Sequence, residues 1–492
     1  LFFLSGGAAL IYEVIWMRML AVTLGVTAPA VAVVLATFMG GMALGSWLGG
    51  RALDRWGRPL LWYAGCELII ALYAFAFPLL YRVADGVYLL AALGAATPLL
   101  RELTRFAVAA ALLVMPTAAM GATTPAIAAA VRERTAHPTG RAFAAAYAAN
   151  TFGAAAGVAG GGFWLLWMFG AYRSLRVTAL LNTCVAVMAF AFYIQGRRRS
   201  PAPAPAEPAP AAAGRTRPGP IYAAAFVMGA VALAAQVLWT RALSNIVGSG
   251  TYAFTAMLTT ILLAIGAGAL WHRRLRGTWS ASPHLYPAVC LAASLSIGLS
   301  LLVLKGAPYL FLRVFIAGGG AFPAAVATVF ALSFLIMFLP SFAIGVVLPI
   351  AVQAARGDRP NRNVGAVYAA NTAGAIAGSL LGTFALLPAV GPVTGLRVLA
   401  VVAAMAAFLW GLRRRVWLAG SATLVAAAAF LVPGPGRHDI IAGVGVSPSY
   451  YLDEEGRVDL SDASREKLIF YADGVDASVA VVEYGAVRSL KI

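Results

Sequence analysis

The sequence predicts an all-α polytopic membrane protein built from two parallel six-helix repeats, with an additional helix and a short β-meander tail. Of its 492 residues, 61% are hydrophobic and only 11% charged, and the mean hydropathy is +0.84. Soluble domains run at roughly 45–50% apolar and about 25% charged. The apolar residues come in continuous runs of bilayer-crossing length, about 20 residues each, and not in the alternation that a transmembrane β-barrel needs. Polar and glycine landmarks of the first half also recur in the second at a nearly fixed offset.

Thirteen apolar runs can be marked, at about 1 to 24, 28 to 50, 60 to 81, 105 to 131, 142 to 170, 174 to 195, 220 to 245, 251 to 271, 285 to 304, 323 to 355, 364 to 390, 393 to 412 and 416 to 433. Between the sixth and seventh lie Arg197, Arg198 and Arg199 and then a Pro/Ala tract, a composition that stays extended and does not pack into a core. The predicted organisation is a first bundle over 1–196, a cytoplasmic linker over 197–219, a second bundle over 220–415, a thirteenth span over 416–433 and a tail over 434–492.

Glu13, Trp16, Arg18, Gly25 and Gly45 recur 223 residues later as Gln236, Trp239, Arg241, Gly248 and Gly268. Pro116, Gly121 and Pro125 recur as Pro340, Gly345 and Pro349, and Tyr147, Asn150, Thr151, Gly153, Gly157, Gly170 and Arg176 as Tyr368, Asn371, Thr372, Gly374, Gly378, Gly391 and Arg397. An even number of spans per half gives both copies the same orientation, the parallel repeat of six-plus-six transporter folds.

The formal charge of +18 would suggest nucleic acid in a soluble chain. Here the loops after even-numbered spans hold twenty arginines, among them Arg51, Arg55, Arg58, Arg132, Arg134, Arg273, Arg274 and Arg413 to Arg415, against eight basic residues opposite. The positive-inside rule places the even loops in the cytoplasm and accounts for the charge with the lipid bilayer as partner and no nucleic acid. The location implied is a bacterial-type cytoplasmic membrane. Cys66, Cys184 and Cys290 sit in or beside apolar runs and give neither a disulfide framework nor a metal site. The chain begins with Leu, not Met, and an apolar helix starts at once, so it is read as a fragment.

Gly50-Arg51-Ala52-Leu53-Asp54-Arg55-Trp56-Gly57-Arg58-Pro59 lies between spans two and three. It resembles the loop signature of the major facilitator superfamily, with Pro59 in place of the final basic residue. Gly50 and Gly57 permit close approach and a tight turn. Asp54, beside Arg55 and Arg58, can cap a helix or pair with an arginine and so hold one closed state. The matching loop of the second half, Trp271 to Gly277, lacks the aspartate.

Gly153, Gly157 and Gly161 on span five, and Gly374, Gly378 and Gly382 on span eleven, are spaced by four, which lets transmembrane backbones touch. They are expected to be packing surfaces between the halves. Asn150 and Asn371 then hydrogen-bond across helices or contribute to a substrate pocket. Within the apolar runs the carboxylates are Glu13 and Glu67, with Arg18 and Arg241 near the far ends of spans one and seven. An intramembrane charge is by default a functional-site hypothesis. Glu13 and Arg18 lie about 140° apart around a helix, too far for a same-face pair. If spans one, four, seven and ten line a cavity, as the resemblance implies, Glu13, Gln236 and the paired prolines gather around one substrate pocket, for which Arg18 and Arg241 are candidates as well. Glu13 then serves a ligand or a proton, or belongs to a structural ion pair.

The tail carries Phe470-Tyr471-Ala472-Asp473-Gly474-Val475-Asp476-Ala477-Ser478-Val479-Ala480-Val481-Val482-Glu483, β-branched runs punctuated by Asp-Gly, which reads as successive strands. This phrase resembles the N-terminal β-domain of spermidine synthases, and with the membrane part the chain resembles the membrane-bound spermidine synthase family. That resemblance implies a polyamine aminopropyltransferase in the full-length form, a transferase of polyamine biosynthesis with decarboxylated S-adenosylmethionine as co-substrate. The membrane part would be its anchor, regulator or substrate conduit. The chain stops before any glycine-rich loop or general base, so no cofactor and no catalytic residue is expected within it. The alternative is a major-facilitator-like transporter of a small solute, a polyamine or another small cation. A spanning thirteenth run would carry the tail to the extracytoplasmic side.

Overall fold

The computed structural model describes all residues except 25–27, 94–96, 136–138, 199–217, 276–281, 283, 356–358, 412–415, 442, 447, 452–466, 485–486 and 492. The linker expected over 197–219 therefore lies almost wholly outside the described residues. Repeat one comprises α1 (Phe2–Leu24), α2 (Ala28–Trp56), α3 (Pro59–Leu93), α4 (Pro98–Thr135), α5 (Thr139–Gly160) and α6 (Leu166–Arg198). Repeat two comprises α7 (Pro218–Val247), α8 (Thr251–Arg274), α9 (Leu285–Ala317), α10 (Phe322–Ala354), α11 (Pro360–Leu381) and α12 (Leu387–Gly411). The additional helix is α13 (Val416–Leu431), followed by the short α14 (Arg437–Ile441). Large apolar side chains stay exposed along the helices, Leu79 at 67% and Trp167 at 79% among them. That exposure suits lipid, not water.

Among the described residues ten continuous helical stretches are long and apolar enough to cross a membrane. Two of them, of 58 and 48 residues, run from Thr139 to Gly196 and from Pro360 to Ala407. At about 1.5 Å per residue either far exceeds a hydrocarbon core of about 30 Å, and each is divided. After a π-helical turn at Gly161–Leu165, the backbone breaks at Gly170, with φ 66° and ψ 175°. After the matching π-turn at Gly382–Leu386, it breaks at Gly391, with φ 73° and ψ 173°. A left-handed φ is open to glycine at no steric cost, so the repeated glycines are the points where two spans part.

In repeat one, α2 packs on α4, α1 on α5, and α3 on both α4 and α6. Small residues make the α2–α4 seam: side chains at Gly45 or Gly121 would run into the backbone of Ala118 or Met42. Prolines interrupt α4 at Pro116 and Pro125. Pro116 has no N–H for the carbonyl of Leu112, and Tyr73 of α3 donates its hydroxyl to that carbonyl at 2.7 Å. We expect Tyr73→Phe to orphan the carbonyl and cost about 1–3 kcal/mol, measured as thermal unfolding of the purified protein; an unchanged midpoint would show that another donor takes over.

The packing divides into two units. The first contains Leu1–Ala230, Ile265–Ser282 and Gly345–Ile376, and the second contains Val231–Ala264, Pro283–Ile344 and Ala377–Ile492. The first thus gathers repeat one with the arginine-bearing ends of α8 and α11. In the second, α12 packs on α9 and α13 packs on both, with Gly298 against Ala429. The tail forms an antiparallel meander of β1 (Lys467–Asp473), β2 (Ser478–Tyr484) and β3 (Val487–Lys491), in that order. Asp473 faces Ser478 at the hairpin end, and a bulge interrupts β1 between Leu468 and Phe470. Ala480 and Val482 bury against Ile441 of α14.

Candidate functional site

Glu13 sits in the middle of α1, partly exposed, and among the described residues its carboxylate has neither a hydrogen bond nor an ion pair. Its charge reaches Tyr368 of α11, which hydrogen-bonds Thr124 of α4 and lies near Tyr147 of α5. Tyr147 and Tyr368 are counterparts in the two repeats. They appear among the sequence landmarks, and what sets them apart is that Tyr368 lies within reach of the Glu13 charge and Tyr147 within reach of Tyr368. Arg18 is exposed on α1 and pairs with nothing among the described residues.

The second intramembrane acid behaves oppositely. Glu67 of α3 is fully buried and accepts from the hydroxyl of Ser5 on α1 and the amide of Asn182 on α6. It ties three helices together and is satisfied by them. A third carboxylate, Asp85, falls within α3 because that helix outruns its apolar stretch, and it accepts from Thr23 at the end of α1.

Gln236 and Arg241 lie on α7 within the second unit. Gln236 is half-buried and makes no hydrogen bond among the described residues. Arg241 donates to the carbonyls of Gly474 and Val475 in the tail. A guanidinium at the end of a helix reads alike in sequence whichever partner it meets, which is why its role was open.

The glycine rows pack within each repeat, not between the halves. Gly153 meets Phe3, Gly157 meets Gly7 and Gly161 lies over Ile11, joining α5 to α1. Gly374 meets Phe226 and Gly382 lies over Ala234, joining α11 to α7, and Gly378 is buried on α11. Asn150 and Asn371 continue these seams, each seated against a glycine, Gly6 and Gly229 respectively.

The loop motif closes one end of the first unit. The exposed carboxylate of Asp54 accepts from the backbone N–H groups of Asn361 and Arg362, at 3.3 and 2.9 Å. It therefore caps the N-terminus of α11 from another helix, against orphan donors and the positive end of the helix dipole. Gly50 comes close enough that a side chain would strike the carbonyl of Asn361, and Ser46 donates to the carbonyl of Gly365. Gly57 and Arg58 both adopt left-handed φ, turning the chain from Trp56 into Pro59, while Arg55 and Arg58 stay exposed. Where the matching loop of repeat two lacks the aspartate, a backbone carbonyl is the acceptor: Arg141 at the start of α5 donates to Leu275 at 3.2 Å.

No protein-family profile matches the sequence, and no curated protein matches it. Solved structures do match its fold. A bacterial homologue of the iron transporter ferroportin, in an outward-facing state, is 14% identical with a TM-score of 0.51, covering 87% of this chain and 97% of that one. A bacterial homologue of ferroportin in an outward-facing state with soaked iron gives 12% identity and a TM-score of 0.50 over 87% of this chain and 97% of that one. The major facilitator superfamily proton:xylose symporter XylE is 12% identical with a TM-score of 0.49, over 84% of this chain and 94% of that one.

These likenesses overturn the expected membership of the membrane-bound spermidine synthase family. The likeness to the ferroportin homologue covers 87% of the chain, and nothing ties the chain to polyamine biosynthesis or to a transferase. The phrase at Phe470 to Glu483 has a simpler cause. Asp473-Gly474 opens a hairpin turn and the β-branched residues on either side form its strands. The chain is a multi-pass, two-repeat helical membrane protein whose fold is like that of the ferroportin homologue.

Proposed function

We propose that the protein is a secondary transporter of a small cationic solute, with Glu13 as its charge-selecting residue, in a bacterial-type cytoplasmic membrane. The observation that carries this reading is the contrast between the two deep acids. Glu67 is consumed by structural bonds, whereas Glu13 faces Tyr368 of the other repeat with its carboxylate unspent. An ionisable group held inside the membrane without a structural partner is costly unless a solute or a proton uses it. The bonds from Asp54 and Arg141 close the arginine-rich end. By the positive-inside count that end is cytoplasmic. The test is a thermal-shift screen of the purified protein against inorganic and amine cations, followed by uptake into proteoliposomes. A bound cation at a hundred times its Kd stabilises by about 2.7 kcal/mol, and the shift should vanish in Glu13→Gln. No stabilising cation and no gradient-driven uptake would overturn the proposal.

A further inference from the structure

The internal repeat supplies its own control for the tail. At the end of repeat two where α7 stops, three positions are held by residues that follow α12, while their counterparts in repeat one are open. Arg241 donates from Nη1 to the carbonyl of Gly474 at 3.4 Å and from Nη2 to that of Val475 at 2.6 Å. Its counterpart Arg18 is exposed, without a partner among the described residues. Gly391 carries Asp473 so close that a Cβ there would come within 2.8 Å of Oδ2, whereas a Cβ at Gly170 would meet nothing within 4 Å. Arg397 donates to the carbonyl of Val432 at 3.1 Å, and its counterpart Arg176 is exposed.

The hairpin itself is built to be rigid. Oδ1 of Asp473 accepts from the hydroxyls of Tyr471 and Ser478, both at 2.7 Å, and Gly474 N–H closes the turn on the carbonyl of Ala477. Burial, and after it the Asp473 carboxylate, push the Tyr471 phenol well above its ordinary value, so it remains a donor. Asn245, one turn beyond Arg241, donates to Oγ of Ser478 at 3.0 Å. Gly445 N–H bonds the carbonyl of Ile246 at the same helix end. A planar guanidinium on two successive carbonyls fixes orientation as well as distance.

We propose that the tail hairpin is a strap whose turn, Asp473 to Ser478, locks the Gly391 break of repeat two and leaves the Gly170 break of repeat one free to bend. The two breaks have nearly the same φ and ψ, so their difference in mobility comes from what covers them. The inference rests on the fold alone and holds whether or not the protein transports.

Hydrogen–deuterium exchange on the full chain in lipid nanodiscs tests it. In the unaltered protein the turns after Gly391 should exchange more slowly than those after Gly170. Arg241→Ala removes two charge-assisted bonds and should speed exchange at 473–478 and at 391–397 by about tenfold. The segment 170–176 should not change, and Arg18→Ala should change none of these. Asn245→Ala, which removes a single neutral bond, should move the same two segments by a smaller factor and guards against a misfolded Arg241 variant. A hairpin that loosens while 391–397 does not, in either variant, would overturn the strap, as would a hairpin unchanged in both.

Discussion

Glu13→Gln is expected to abolish cation-dependent stabilisation and flux while leaving folded yield intact. The carboxylate has no hydrogen bond among the described residues, so neutralising it strands no donor and should move the unliganded melting midpoint by less than the equivalent of about 1 kcal/mol. Glu67→Ala is the opposing control. It leaves the hydroxyl of Ser5 and the amide of Asn182 unmatched between α1, α3 and α6. At about 1–3 kcal/mol per buried orphan, plus the cavity, yield and thermal stability should fall together. The measurements are size-exclusion yield, melting midpoint and proteoliposome uptake of a cation that stabilises the unaltered protein. Full uptake by a stably folded Glu13→Gln protein would remove Glu13 from the mechanism.

Much of this architecture is legible in the sequence, because membrane burial forces each span to be a long uncharged run and the repeat doubles every landmark. Gly170 and Gly391 stand out as a repeated pair, and the structure shows both as breaks between spans. Span ends are less legible. The helix α3 outruns its apolar stretch and so takes in Asp85, because helical hydrogen bonding continues past the hydrophobic core wherever a neighbour supplies contacts. The partners of Glu67 could not be found either. Ser5 and Asn182 resemble every other small polar residue of an apolar helix until the fold places them beside a carboxylate.

The tail misled for a physical reason. Alternating β-branched residues around Asp-Gly are what any hairpin needs, so the phrase carries information about local structure and little about chemistry. The repeat makes Arg241 a pocket candidate as the counterpart of Arg18, and the structure shows it bonded to the tail. Repeat symmetry specifies where a residue stands on its own helix. It does not specify what a later segment of chain brings to meet it.

Asp54→Ala should shift the protein toward opening at its arginine-rich end. The carboxylate caps two N–H groups of α11 that lie 307 and 308 residues away in sequence. An N-cap substitution costs about 0.5–2 kcal/mol, and the charge on the helix dipole adds about 0.3–1 kcal/mol at an exposed site. Because those bonds exist only while α2 and α11 are together, the loss falls on the closed state and not on folding as a whole. A change of 1–2 kcal/mol alters the equilibrium by roughly 5- to 30-fold. Ser46, buried on α2 against Gly365, offers a reporter: as cysteine, in a background with exposed Cys184 replaced by serine, it should be alkylated faster by about that factor when Asp54 is lost. Asp54→Asn keeps an acceptor without the charge and should fall between the two, and high salt, which screens an exposed charge, should bring the unaltered protein toward Asp54→Asn. Arg141→Ala acts at a separate contact on Leu275, so its effect should add to that of Asp54→Ala, within about 0.5 kcal/mol. Alkylation of the Ser46 cysteine at one rate in all of these proteins would mean that neither contact holds the arginine-rich end closed.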